Sequence, residues 1–227
     1  MTLLRLAGAM AAKDLRIELR GRYAVSMALP FAATLLIAFG LSLGPGRTLL
    51  EATAPGLLWL AALFAAVLLA RRAYESETED AALEGLVLAP VDKVAVFIGK
   101  AVAIASGLLA LEAAVLAMVV VLFGLPISGS GGDMLVLLAT LVLGTVGLAA
   151  IGSLFGVLAV VPRAREAVLP LLVMPLATPV LLAGTRTTAL AAAGQGDQAG
   201  SWLGLLVAFD LVFVAAGTLV FEHLLED

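Results

Sequence analysis

The stretch AVLLARRAYESETEDAALEGLVLAP, Ala66 to Pro90, joins three kinds of sequence that seldom follow one another directly. An uncharged apolar run ends at Arg71 and Arg72. Glu75, Glu77, Glu79 and Asp80 then crowd together, and a short segment with Leu83, Glu84, Leu86, Val87 and Leu88 follows before Pro90. The first part is apolar enough for lipid, whereas the last is too short to cross it. Ser76 followed at the third position by Glu79 reads as a capping box, and acids in a first turn complement the positive end of a helix dipole. The pattern predicts a helix starting near Glu77, within a segment 76–90, with Leu83, Leu86 and Val87 on one face and Pro90 as its stop. Alone in water so short a helix is marginal, so it must rest against something. An anionic leaflet repels its acidic end. Two readings stand, a helix lying on lipid and a helix docked in a groove of a cytoplasmic protein, and the charge favours the second.

The rest of the chain supplies the lipid-crossing context. Apolar residues make up 63% of 227 and charged residues 13%, with a mean hydropathy of +1.15. That places the chain among integral membrane proteins. Long apolar windows recur near 23–43, 54–70, 101–123, 134–161, 167–185 and 202–221, each matching a hydrocarbon core of about 30 Å. The predicted fold is all-α, with about six transmembrane helices, in one domain over 1–227. An even number of spans puts both termini on one side.

Cations fix which side. Eleven of the thirteen Lys and Arg lie in the N-terminal segment, the loop after span two and the loop after span four; only Arg47 and Arg186 lie in the opposite loops. The positive-inside rule therefore predicts a multi-pass inner-membrane protein with both termini and the acidic segment in the cytoplasm. The first 22 residues spread their charges throughout, unlike a cleavable signal peptide. On a helical projection Arg5, Lys13, Arg16 and Arg20 share a stripe opposite Leu3, Leu4, Ala7, Met10, Ala11 and Leu15. This predicts an interfacial helix over 1–22, attracted to anionic membrane lipid, with Asp14 and Glu18 at the edge of its apolar side. Glu18 is spaced to pair with Arg22. Contact with a cytoplasmic partner is the second reading of this helix.

Several chemistries are absent. There is no cysteine, and the one histidine is His223. Met118, Met134 and Met174 read as packing residues, so a directly bound metal cofactor is poorly supported. The lysines are Lys13, Lys93 and Lys100, and none follows a phosphate-binding glycine loop. No catalytic residue, metal site or nucleic-acid surface is predicted, and any ATP must be hydrolysed by another chain.

A set of ordered motifs gives a resemblance. Leu43-Gly44-Pro45, Ala54-Pro55-Gly56 with Trp59, Asp80 to Pro90 with Leu83-Glu84, and Gly99-Lys100 are followed by LGTVGLAAIG (Leu143 to Gly152) and LLVMPLATPVLLAG (Leu171 to Gly184), with Pro175-Leu176 and Pro179-Val180. In this order they resemble the permease subunit of the cytochrome c maturation ABC transporter, the haem exporter protein B family, over roughly residues 43 to 186. The resemblance implies an ABC-2, type V exporter-like fold in which 76–90 is a coupling helix. Its ATPase-contacting residues would be Glu79, Asp80, Leu83, Glu84, Leu86, Val87, Leu88 and Pro90. It also implies partners: a cytoplasmic ABC ATPase subunit that uses the ATP, a haem-handling membrane subunit, a small membrane subunit and a haem chaperone. Haem would be handled by the complex, and this subunit would pass ATP-driven movement to it. The chain departs from the family at Ala81, where glycine is usual, and at Arg71 or Arg72, where an acid is usual; the arginines put any salt bridge at that depth in doubt.

Within the spans, Gly144, Gly147, Gly152 and Gly156 form a small-residue stripe that serves either packing within the chain or a permease homodimer. Pro170, Pro175 and Pro179 predict a kinked or broken fifth span. The segment 185–201 reads as a periplasmic loop, too polar to span and too rich in Gly and Gln to form a core, and the family resemblance leaves room within it for short re-entrant or periplasmic helices. Glu112 and Asp210 lie inside spans and are expected to face the bundle interior. A proton-coupled secondary transporter built on these two acids, and a non-transporting assembly scaffold, are the alternative functions.

Overall fold

In the computed structural model the described residues are 3–79, 93–127, 129–156 and 173–224, and every regular element among them is helical. Helix α1 (Leu3–Gly21) ends where the chain turns through Arg22, in the left-handed region at φ 51°. Glu18 Oε1 accepts the Ala24 N–H just past this turn. Its carboxylate holds the turn instead of pairing with Arg22. A π-helical turn (Ala24–Ala28) leads into α2 (Leu29–Leu43). Gly44, at φ 74°, turns the chain into α3 (Arg47–Glu79). Helices α4 (Lys93–Phe123), α5 (Gly131–Gly156) and α6 (Thr178–Ala192) follow, then a 3-10 turn (Gly196–Ala199) and α7 (Gly200–Leu224).

Among the described residues five helical stretches are long and apolar enough to cross a membrane: Ala24–Leu43, Arg47–Tyr74, Lys93–Phe123, Gly131–Gly156 and Gly196–Leu219. The expected fifth span, 167–185, lies partly outside the described residues. Residues 173–176 are helical, Ala177 is a turn between Pro175 and Pro179, and α6 then continues to Ala192. This corrects the boundary of the loop expected over 185–201. Thr185 to Ala192 are helical, and two of their polar side chains find partners there: Thr187 Oγ1 donates to the Ala183 carbonyl at 2.7 Å, and Thr188 takes a bond from Trp59. Helix α6 ends in a Schellman arrangement, in which Gly194 (φ 71°) and Gln195 donate to the Ala191 and Leu190 carbonyls.

Helix α3 is the most enclosed of the five spans. The reason lies in small residues that face it. A Cβ on Gly144 of α5 would stand 2.1 Å from the Trp59 ring, and one on Gly184 of α6 2.4 Å from the same ring. The indole fills the space both glycines leave, and its N–H donates to Thr188 Oγ1 at 3.0 Å. Further along the same pair of helices Gly152 faces Ala70, and Gly156 faces Tyr74. Gly147 faces Phe209 and Asp210 of α7 instead. Gly144, Gly147, Gly152 and Gly156 thus all face side chains of this chain.

At one end of the bundle, Asp133 closes the turn into α5. Its Oδ2 accepts the Ser130 N–H and hydroxyl, each at 2.7 Å, and its Oδ1 accepts the Gly196 N–H at 2.8 Å. A single carboxylate therefore joins the α4–α5 and α6–α7 connections.

Trp59→Ala is expected to lower stability in detergent by about 3 to 5 kcal/mol, because neither glycine carries atoms to fill the vacated space; a thermal-denaturation series measures it. Asp133→Ala is expected to lower the melting temperature by leaving the buried Gly196 N–H without its acceptor, and the same assay reads the difference.

Candidate functional site

The segment 76–90 attaches to the bundle through the ends of α3 and α4, and these ends are tied together. Helix α3 runs without interruption from Arg47 to Glu79. Ser76 is therefore not an N-cap: it sits inside a helix that began 29 residues earlier, and no glycine or proline follows Gly56 to break it. The separate helix start expected near Glu77 is thereby corrected, and Glu79 is the last residue of α3. Asp80, Leu83, Glu84, Leu86, Val87, Leu88 and Pro90 lie outside the described residues.

Close to these two helix ends sits a buried lysine. Lys100, seven residues into α4, is 1% exposed. Its ammonium donates to the Ala73 carbonyl of α3 at 2.8 Å and to Asp14 Oδ2 of α1 at 3.1 Å, and it stands 4.9 Å from the centre of the Tyr74 ring. Carbonyl, carboxylate and π-face together replace the hydration that a buried ammonium loses. The Tyr74 hydroxyl donates to the Ser153 carbonyl of α5 at 2.7 Å, and Ser153 Oγ donates to the Phe97 carbonyl of α4 at 3.2 Å. Four helices, α1, α3, α4 and α5, meet at this junction.

Helix α1 is held there by shape as well as charge. A Cβ on Gly99 would lie 2.6 Å from Met10 Cβ and 2.9 Å from the Ala7 carbonyl oxygen, so the two backbones approach closely. The apolar side of α1, with Ala7 and Met10, packs on α4, while Leu4 at its edge stays 79% exposed. Asp14 interrupts that apolar side because Lys100 lies opposite. Arg5, Lys13, Arg16 and Arg20 face outward and are exposed.

Sequence pattern alone does not bring Asp14, Tyr74, Ser153 and Lys100 together. A signal was present: Lys100 is the only charge between Val94 and Leu111, and Asp14 the charge that spoils an apolar stripe. A lone cation and a lone anion in two apolar faces are natural partners.

The two intramembrane acids are apart. Glu112 of α4, 1% exposed, accepts the Thr145 hydroxyl at 2.7 Å through Oε2. Asp210 of α7, 8% exposed, lies against Gly147, and among the described residues no donor meets either of its oxygens. Thr145 and Gly147 are two positions apart on α5, about 160° around its axis. The acids therefore lie on opposite sides of that helix. Met134 and Met174 are exposed and only Met118 packs against the core, which corrects the expectation that all three are packing residues. Among the described residues no group of three or more His, Cys, Asp or Glu could hold a metal ion.

Comparison with known proteins bears on the whole chain. The CcmB protein family matches residues 5–226. Heme exporter protein B of Pseudomonas aeruginosa is 33% identical over 215 residues, covering 91% of this chain and 93% of that protein. Heme exporter protein B of Paracoccus denitrificans is 33% identical over 216 residues, covering 93% and 90% respectively. Heme exporter protein B of Rhodobacter capsulatus is 35% identical over 191 residues, covering 82% of this chain and 84% of its own. With a family match over nearly its full length and five helices able to cross a membrane, this chain belongs to the CcmB protein family.

Proposed function

We propose that this chain is the membrane-spanning permease subunit of an ABC-type haem exporter serving cytochrome c biogenesis, driven by ATP that a separate cytoplasmic subunit hydrolyses. The observation that carries the reading is the family match from residue 5 to residue 226, in which the relatives are named heme exporter protein B. The absence of a phosphate-binding loop assigns hydrolysis to another chain. The Lys and Arg distribution supports an inner-membrane protein with cytoplasmic termini and a cytoplasmic 76–90 segment.

In this reading 76–90 docks into the ATPase through Leu83, Leu86 and Val87, with Glu79, Asp80 and Glu84 around them. Haem is cargo of the complex, passed among a haem-handling membrane subunit, a small membrane subunit and a chaperone. This chain contributes movement and binds neither haem nor ATP directly. The outward basic face of α1 suits anionic lipid headgroups. A proton path through Glu112 and Asp210 is disfavoured by their placement on opposite sides of α5.

Leu83→Asp with Leu86→Asp is expected to abolish co-purification of the ATPase while the chain still inserts in the membrane; undiminished co-purification would count against docking at this segment. Glu112→Gln and Asp210→Asn are expected to retain cytochrome c maturation, measured as holocytochrome by haem staining. Loss of maturation in both would favour the proton-coupled alternative.

A further inference from the structure

We infer that Lys100 and Asp14 form a positioning pair that makes the N-terminal helix part of the transmission from segment 80–92 to the bundle. The inference rests on the reading of this chain as a permease driven by a separate ATPase. The chain enters the segment from α3 and leaves it into α4, so a force applied to it reaches the last turns of α3 and the first turns of α4. Those turns are joined by the Lys100 ammonium on the Ala73 carbonyl. The same ammonium holds Asp14, and Gly99, the residue beside it, receives the α1 backbone at close range. On the other side Tyr74 and Ser153 carry the connection to α5. With the pair intact, α1, α3, α4 and α5 keep one register at this end and move as a block.

A buried ion pair suits this task better than it suits stability. Desolvation offsets most of its attraction, so replacing both partners by well-packed neutral groups is often nearly neutral, while removing one leaves an uncompensated charge. What the pair adds is geometry. The carbonyl, the carboxylate and the ring fix the ammonium in one place, whereas an apolar contact of the same size would let α1 and α3 slide along α4.

The test uses the full chain expressed with its ATPase and the other subunits of the exporter, comparing wild type with Lys100→Met plus Asp14→Asn. Removing both charges leaves neither orphaned, so folding is separated from transmission. The doubly neutral chain is expected to reach the membrane in normal amount and to retain the ATPase and its ATP turnover. Holocytochrome c is expected to fall about tenfold or more, within the span of coupling free energies between sites. Asp14→Glu, which keeps the charge, should retain most maturation. Normal maturation in the doubly neutral chain would overturn the inference. So would failure of that chain to accumulate, which would make the pair a structural tie and nothing more. If the wild-type chain retained no ATPase, the permease reading itself would have failed, and the two failures are distinguishable in the same preparation.

Discussion

Everything at the α1 end of this protein depends on α3 being held rigidly along its length. Trp59 fills the space left by Gly144 and Gly184, Ala70 lies over Gly152 and Tyr74 over Gly156, so one helix is keyed into α5 at three levels. In lipid there is little hydrophobic drive to bring two apolar helices together. Close approach over glycines, with large side chains filling what remains, supplies the attraction through dispersion and shape. The indole hydrogen bond to Thr188 adds direction.

A rod held in this way can act as a lever. Helix α3 continues past the last of these contacts to Glu79 without a break, and at 1.5 Å per residue its 33 residues span about 50 Å. That exceeds the hydrocarbon thickness of about 30 Å, so its end projects out of the apolar layer or the helix tilts. In the proposed orientation, a movement at segment 80–92 arrives at a stiff helix end, with Lys100 spreading it to α1 and α4. Under the proposed function, the relation between the acidic segment and the membrane bundle is mechanical.

Much of this was legible from the residues alone. Hydropathy marked the spans, since burial in lipid imposes a length and a composition that a single chain displays openly. The amphipathic N-terminal helix and the inward-facing Glu112 were legible for the same reason: each is a local pattern. Long-range partnerships were not. Nothing near Trp59 in the chain announces Gly144 and Gly184, and the α5 glycines alone could not say which helix fills them. Lys100 was counted with the loop cations because hydropathy is one-dimensional, yet its ligands come from residues 14, 73 and 74. Ser76 and Glu79 matched a capping pattern whose meaning depends on whether the preceding chain is helical, and α3 is. Thr187 and Thr188 made their segment look like a loop until Ala183 and Trp59 were seen to satisfy them.

In the proposed function segment 76–90 lies on the cytoplasmic side, gripped by an ATPase. Because the chain has no cysteine, Glu84→Cys gives a single thiol for labelling by a membrane-impermeant maleimide in sealed vesicles of both orientations, with and without the ATPase. Labelling is expected only when the cytoplasmic face is outward, with protection when the ATPase is present. Labelling from the periplasmic face, or labelling indifferent to the ATPase, would contradict it.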